Sequence, residues 1–83
     1  MFYCYILQSL RSSKYYIGVS GNLGIRLKFH NAGKIKSTKK DRPWTVVYYD
    51  KFTTLGKVRK RELQIKKWKS RIAIERLIKA FKI

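Results

Sequence analysis

Residues 2–20 read FYCYILQSLRSSKYYIGVS, and this stretch decides the fold. Two short apolar runs, 2–8 and 15–20, flank a polar break. In the first run Phe2, Cys4 and Ile6 alternate with Tyr3, Tyr5 and Leu7, the two-residue period of a strand buried on at least one face. In the second, Tyr15, Ile17 and Val19 share one face, and Tyr16, Gly18 and Ser20 the other. A break this short predicts an antiparallel hairpin. Pairing Tyr5 with Tyr16 sets Tyr3 opposite Gly18 and leaves SLRS as the loop. Tyr5, Tyr16 and Gly18 then lie on one face, and Gly18 leaves room above the sheet. Taken alone, the tyrosines fit an aromatic sheet face whose hydroxyls reach water.

Outward from the hairpin, 21–33 (GNLGIRLKFHNAG) reads as a helix capped by Ser20 or Asn22 and ended by Gly33. Residues 34–43 (KIKSTKKDRP) read as a basic loop stopped by Pro43. Residues 44–52 (WTVVYYDKF) are rich in aromatic and β-branched side chains and read as a third strand. Thr53 or Thr54 caps a long helix over 55–69. Ser70 restarts a last one over 71–82, whose Ile74, Leu77, Ile78 and Phe81 make an apolar stripe. The order ββαβαα gives an α+β fold, a three-stranded mainly antiparallel sheet flanked by helices, as a single domain over 1–83.

Charge narrows the partners. Twenty-one Lys and Arg oppose four acids, a net +17, and such a field favours a polyanion, above all nucleic acid. The longest apolar run near the N-terminus is too short to span a membrane, so the expected location is cytoplasmic. One cysteine excludes a disulfide framework within the chain and a Cys-rich zinc site, and makes Cys4 a small buried hydrophobe. Lys34, Lys36, Lys39, Lys40 and Arg42 in the basic loop, and the run KVRKRELQIKKWKSR with Lys66 and Lys67, read as surfaces that track phosphates. Trp44 and Trp68 stand at core-like positions.

Three residues carry more specific chemistry. Arg26 and His30 are four apart on the first helix, flanked by Leu23 and Leu27, so their face turns toward the protein and could clamp a phosphate. Glu62 interrupts the apolar arc Val58, Ile65. A carboxylate there must be paired, with Arg26 or a lysine, or must hold a hard cation such as Mg²⁺. Glu75 has Lys79 four residues on, an ordinary surface pair. Asp41 has no assigned role, and the side taken by Asp50 is open.

Together these positions resemble the GIY-YIG nuclease domain, especially its small single-domain bacterial branch, over nearly the whole chain. The family's first motif falls on Tyr3-Cys4-Tyr5 and its second on Tyr16-Ile17-Gly18. The arginine that follows matches Arg26, the histidine four residues later His30, and the metal-binding glutamate Glu62. The stretches STKKDRPWTVVYY and IKKWKSR are also typical of the small branch. Tyr3 stands where the name-giving glycine does and Cys4 replaces isoleucine, but Tyr5 is retained. The late asparagine of many members has no counterpart here.

The resemblance implies an endonuclease hydrolysing DNA phosphodiesters with one Mg²⁺ or Mn²⁺ ion, structure-selective and acting in repair or recombination. RNA is the other nucleic acid the charge fits. Glu62 would hold the ion, Arg26 would neutralise the phosphate, and Tyr16 would position water or phosphate. Tyr5 would take the water's proton, its pKa pulled down by Arg26 and the ion. His30 would serve as a second proton carrier or bond the phosphate, and the base could be either Tyr5 or His30. A nucleic-acid-binding module without turnover fits the charge equally well. Only the set Tyr5, Tyr16, Arg26, His30, Glu62 favours the nuclease.

Overall fold

The computed structural model describes residues 1–81. Its elements are β1 (Phe2–Ser9), β2 (Tyr15–Ser20), α1 (Leu23–Asn31), α2 (Lys36–Lys39), β3 (Trp44–Phe52), α3 (Leu55–Trp68) and α4 (Arg71–Ala80). The strands form an antiparallel sheet in the order β2-β1-β3, so the first strand is the central one. The expected order ββαβαα is present, with α2 added inside the stretch expected to be loop. The helix expected to reach Lys82 has Phe81 as its cap, and Lys82 lies outside the described residues.

Being central, β1 is buried on both faces. Cys4 and Ile6 pack with Tyr48, Val58 and Ile65 under α3, and the α4 stripe of Ile74, Leu77, Ile78 and Phe81 packs against the same cluster. Tyr5 and Leu7 point the other way and pack with Trp44, Tyr16, Leu23 and Leu27 under α1. Val58 and Ile65 are fully buried, each stabilising the fold by roughly 1.5–3 kcal/mol.

The helices begin where polar caps allow. The side chains of Asn22, Thr54 and Ser70 accept hydrogen bonds from the backbone N–H of Ile25, Lys57 and Ala73, each contributing about 1 kcal/mol. Gly33 follows α1 at φ +76°, and a Cβ there would collide with the Arg42 side chain. Asn31 ties the end of α1 to β3: its side chain accepts from Trp44 N–H (2.6 Å) and donates to Trp44 C=O (3.1 Å).

The hairpin register differs from the expected one by two residues. Tyr5 faces Gly18, Leu7 faces Tyr16 and Tyr3 faces Ser20. Buried Ser9 sets this register. Its hydroxyl accepts from the backbone N–H of Arg11 and Ser12 and donates to Asp41 C=O, while Ser9 N–H bonds Lys14 C=O. The turn is therefore Leu10–Ser13, not SLRS, with Ser13 in a left-handed conformation at φ 64°. A two-residue slip keeps every side chain on its face, so Tyr5, Tyr16 and Gly18 still share one side of the sheet.

Candidate active site

A cleft of about 370 Å³ opens at β2, the edge strand, where the layers above and below the sheet meet. β1 lends Tyr5, β2 Tyr16 and Gly18, α1 Arg26, and α3 Arg59 and Glu62. Larger, more apolar depressions lie between α1 and β3 and along α3, but neither gathers these groups. Of the five residues expected to form a site, four line the cleft. The fifth, His30, lies behind it.

Tyr5 is almost wholly buried, and its ring lies across Gly18. A Cβ on Gly18 would come within 2.6 Å of the Tyr5 hydroxyl and 3.1 Å of the Tyr16 ring. The room above Gly18 is thus filled by Tyr5 itself, not held open for a ligand. Burial pushes the Tyr5 pKa up to about 12, and the nearby Arg26 guanidinium opposes this without overcoming it. The expected downward pull of Arg26 is present, but desolvation is the larger effect.

His30 is fully buried. Its Nε2 meets the Tyr5 hydroxyl at 3.1 Å and its Nδ1 meets Thr38 Oγ1 at 2.7 Å. The Tyr16 ring stands edge-on to the imidazole at 4.9 Å. Burial and the neighbouring Arg26 charge lower the His30 pKa below its ordinary 6.5 and keep the ring neutral. So the expected Arg26–His30 phosphate clamp does not form: Arg26 lines the cleft, and His30 contacts Tyr5. Of the two roles open to His30, the geometry fits proton carrier and not phosphate ligand. The interior leaves a donor on Arg26 unspent, since its Nε has no partner among the described residues.

Glu62 is half-buried on the inner side of α3. Its ion pair with Lys66 (3.1 Å) uses Oε2 alone. Among the described residues no three His, Cys, Asp or Glu side chains gather into a metal-binding group. A lone carboxylate in an open cleft suits a hard cation that completes its shell with water and substrate oxygen. It does not suit zinc, which takes three or four protein ligands. Arg59 stands one turn before Glu62 on the same helix face. Their i, i+3 spacing could have flagged it, but Arg59 was hidden among seven other basic residues in its run.

The remaining basic residues divide. Lys36, Lys39, Lys40 and Arg42 line a basin of about 540 Å³, and Arg11 joins them from the β1–β2 turn, a member the sequence did not reveal. Lys34 lies over the Phe29 ring instead. Lys67 belongs to the outer surface of α3 with Lys57 and Lys60, and Lys66 is engaged by Glu62. The other acids are also paired: Asp41 with Lys14, Asp50 with Arg61, and Glu75 with Arg71 in place of the expected Lys79. No helix is long and apolar enough to cross a membrane among the described residues.

The family model described as the GIY-YIG catalytic domain matches residues 1–76. The chain belongs to the GIY-YIG family. Relatives of this chain include a UPF0213 protein of Staphylococcus haemolyticus, 37% identical over 65 residues, covering 77% of this chain and 78% of the relative. Another, from Syntrophus aciditrophicus, is 42% identical over 67 residues, covering 78% of this chain and 76% of the relative. No solved structure gives a significant match. GIY-YIG membership makes the fold that of a nuclease family acting on nucleic acid, and Tyr5, Tyr16 and Gly18 of the two motifs that give the family its name line the cleft.

Proposed function

We propose that this protein is a metal-dependent endonuclease that hydrolyses DNA phosphodiesters, selects substrates by structure and not by sequence, and acts in repair or recombination. One observation carries the reading: Tyr5, Tyr16, Arg26 and Glu62, from four different elements, line one cleft. Packing alone has no need of a phenol, a guanidinium and a carboxylate at one point.

Glu62 is the residue that would hold Mg²⁺ or Mn²⁺. Such an ion, when bound, supplies Lewis-acid stabilisation of the phosphate and of the leaving oxygen. Arg26 offers donors to the charge that grows on the phosphate, and Arg59 stands ready to hold a flanking phosphate. Tyr16 orients the attacking water. Tyr5 takes the water's proton as its own phenolic proton passes to His30 Nε2, so no free phenolate has to build up at neutral pH. Selection by structure follows from the partners: the basin of Arg11, Lys36, Lys39, Lys40 and Arg42 contacts backbone, which carries no sequence information.

The test is cleavage of plasmid and branched DNA with Mg²⁺, Mn²⁺ or chelator, beside Glu62→Ala. Cleavage should need the ion and fall by about a hundredfold or more in the variant. Cleavage that survives Glu62→Ala would sink the mechanism. A binding module without turnover is the second reading, favoured by the upward shift of the Tyr5 pKa. Tight binding with no cleavage on any substrate would establish it.

A further inference from the structure

The hydrogen bonds behind the cleft can be given a direction. Tyr5 is protonated at neutral pH, and its hydroxyl proton needs an acceptor because the group is buried. Arg26, its neighbour on the cleft side, has donors only. The acceptor at hand is His30 Nε2, 3.1 Å away. With Tyr5 donating there, that nitrogen is bare, and in a neutral imidazole the proton then sits on Nδ1. Nδ1–H points at Thr38 Oγ1, 2.7 Å away. The Thr38 hydroxyl proton in turn goes to the backbone C=O of Ile35, at 3.4 Å. Each step follows from the one before, starting from an arginine that cannot accept.

We propose that Thr38 is a positioning residue: by accepting from Nδ1–H it fixes the His30 tautomer that leaves Nε2 free to receive the Tyr5 proton. Thr38 is placed for this by the short helix α2. It is 1% exposed between solvent-facing Lys36 and Lys39, and its own C=O accepts from Trp44 Nε1 at 2.8 Å. Without an acceptor at position 38, Nδ1–H would be buried and unsatisfied. The proton would then move to Nε2 and be donated to the Tyr5 oxygen, so that Nε2 could no longer receive the Tyr5 proton. The role of Thr38 in catalysis rests on the reading of Tyr5 as the base, but the tautomer itself does not.

His30 is the only histidine, so its ring nitrogens can be read by ¹⁵N NMR without assignment. The wild type should show the Nδ1–H tautomer. Thr38→Ser, which keeps the acceptor, should preserve it. Thr38→Val, similar in shape without the hydroxyl, should shift the population to Nε2–H. In cleavage assays Thr38→Val should lose about tenfold to a hundredfold in kcat with KM unchanged, and Thr38→Ser should recover most of it. An Nε2–H tautomer in the wild type overturns the proposal, and so does an unchanged tautomer in folded Thr38→Val. If the valine variant does not fold, the wild-type and serine tautomers still decide. If no variant cleaves anything, the nuclease reading fails while the tautomer is still measured.

Discussion

Two tyrosine hydroxyls are buried on opposite faces of the sheet, and they are wired differently. Tyr48, on the α3 side, donates to the Asp50 carboxylate and accepts from Arg61 Nη2 at 3.3 Å. Arg61 also reaches Gln64 at 2.8 Å. Acid, base and phenol hold one another. Tyr5, on the α1 side, bonds a neutral imidazole and has the cleft on its other flank. Burial raises both pKa values, so burial alone does not mark a reactive tyrosine. The partner does. A carboxylate held by arginine is a weak proton acceptor, whereas a neutral imidazole is a good one. Tyr48 is a strut between β3 and α3, and Tyr5 is a group with a route for its proton.

Deleting one oxygen at each site should separate them most sharply. Tyr5→Phe should reduce cleavage by about 10²- to 10⁴-fold. Folding should weaken by only about 1–3 kcal/mol, because His30 Nε2 loses its donor. If Tyr5→Phe cleaves like the wild type, the contrast between the tyrosines collapses. Gly18→Ala comes next. The added methyl cannot coexist with the Tyr5 ring where it lies, and a displacement of about an ångström should lose roughly 10²-fold in rate. A crystal structure of that variant with Tyr5 unmoved would contradict this. Tyr48→Phe is the reverse case: cleavage within about twofold of wild type, with a urea midpoint showing about 1 kcal/mol lost.

High pH is where the two tyrosines should behave alike. Tyr5 is raised from 10.0 to about 12 by burial, and Cys4 from 9.0 to about 11 by burial and the nearby carboxylates. Tyr48 moves in the same direction. Below pH 9 these groups are protonated in folded and unfolded chains, so their contribution is constant. Above it, the unfolded chain releases its protons first and stability falls, from pH 9 to about 11 for Cys4 and from pH 10 to about 12 for Tyr5. Urea midpoints taken from pH 8 to 11 should decline, and Tyr5→Phe should flatten the upper part of the curve. A flat wild-type curve would remove burial as the cause of the shifts.

Much of this was legible in the sequence because alternation and caps are local signals. The faces of β1 and β2, the bounds of β3, the cap Ser70, and the pairs of candidates from which the fold takes Asn22 and Thr54 as caps all follow from neighbours within four residues. What was hidden depends on distant partners. The hairpin register hangs on Ser9, whose hydroxyl reaches Asp41. α2 lacks an apolar period, and its one inward residue is a threonine. In α1, Phe29 is 41% exposed while His30 is fully buried, the reverse of what hydrophobicity suggests. A polar cage of Tyr5 and Thr38 reverses it, and neither partner is near His30 in sequence. The partners of the two helix carboxylates, open between Arg26, a lysine and a cation for Glu62 and expected as Lys79 for Glu75, were hidden for a plainer reason. Each has basic residues one turn away on both sides, Arg59 and Lys66 around Glu62 and Arg71 and Lys79 around Glu75, and the folded chain selects Lys66 and Arg71.

That the first strand is the central one bears on how the chain matures during synthesis. β1 leaves the ribosome first and can pair with β2 almost at once, but its other edge waits for β3, complete only at Phe52. Glu62 arrives later still, so on the proposed function a growing chain exposes its basic loop before it can assemble the carboxylate that cutting would require. Binding would come before cutting in the life of every molecule.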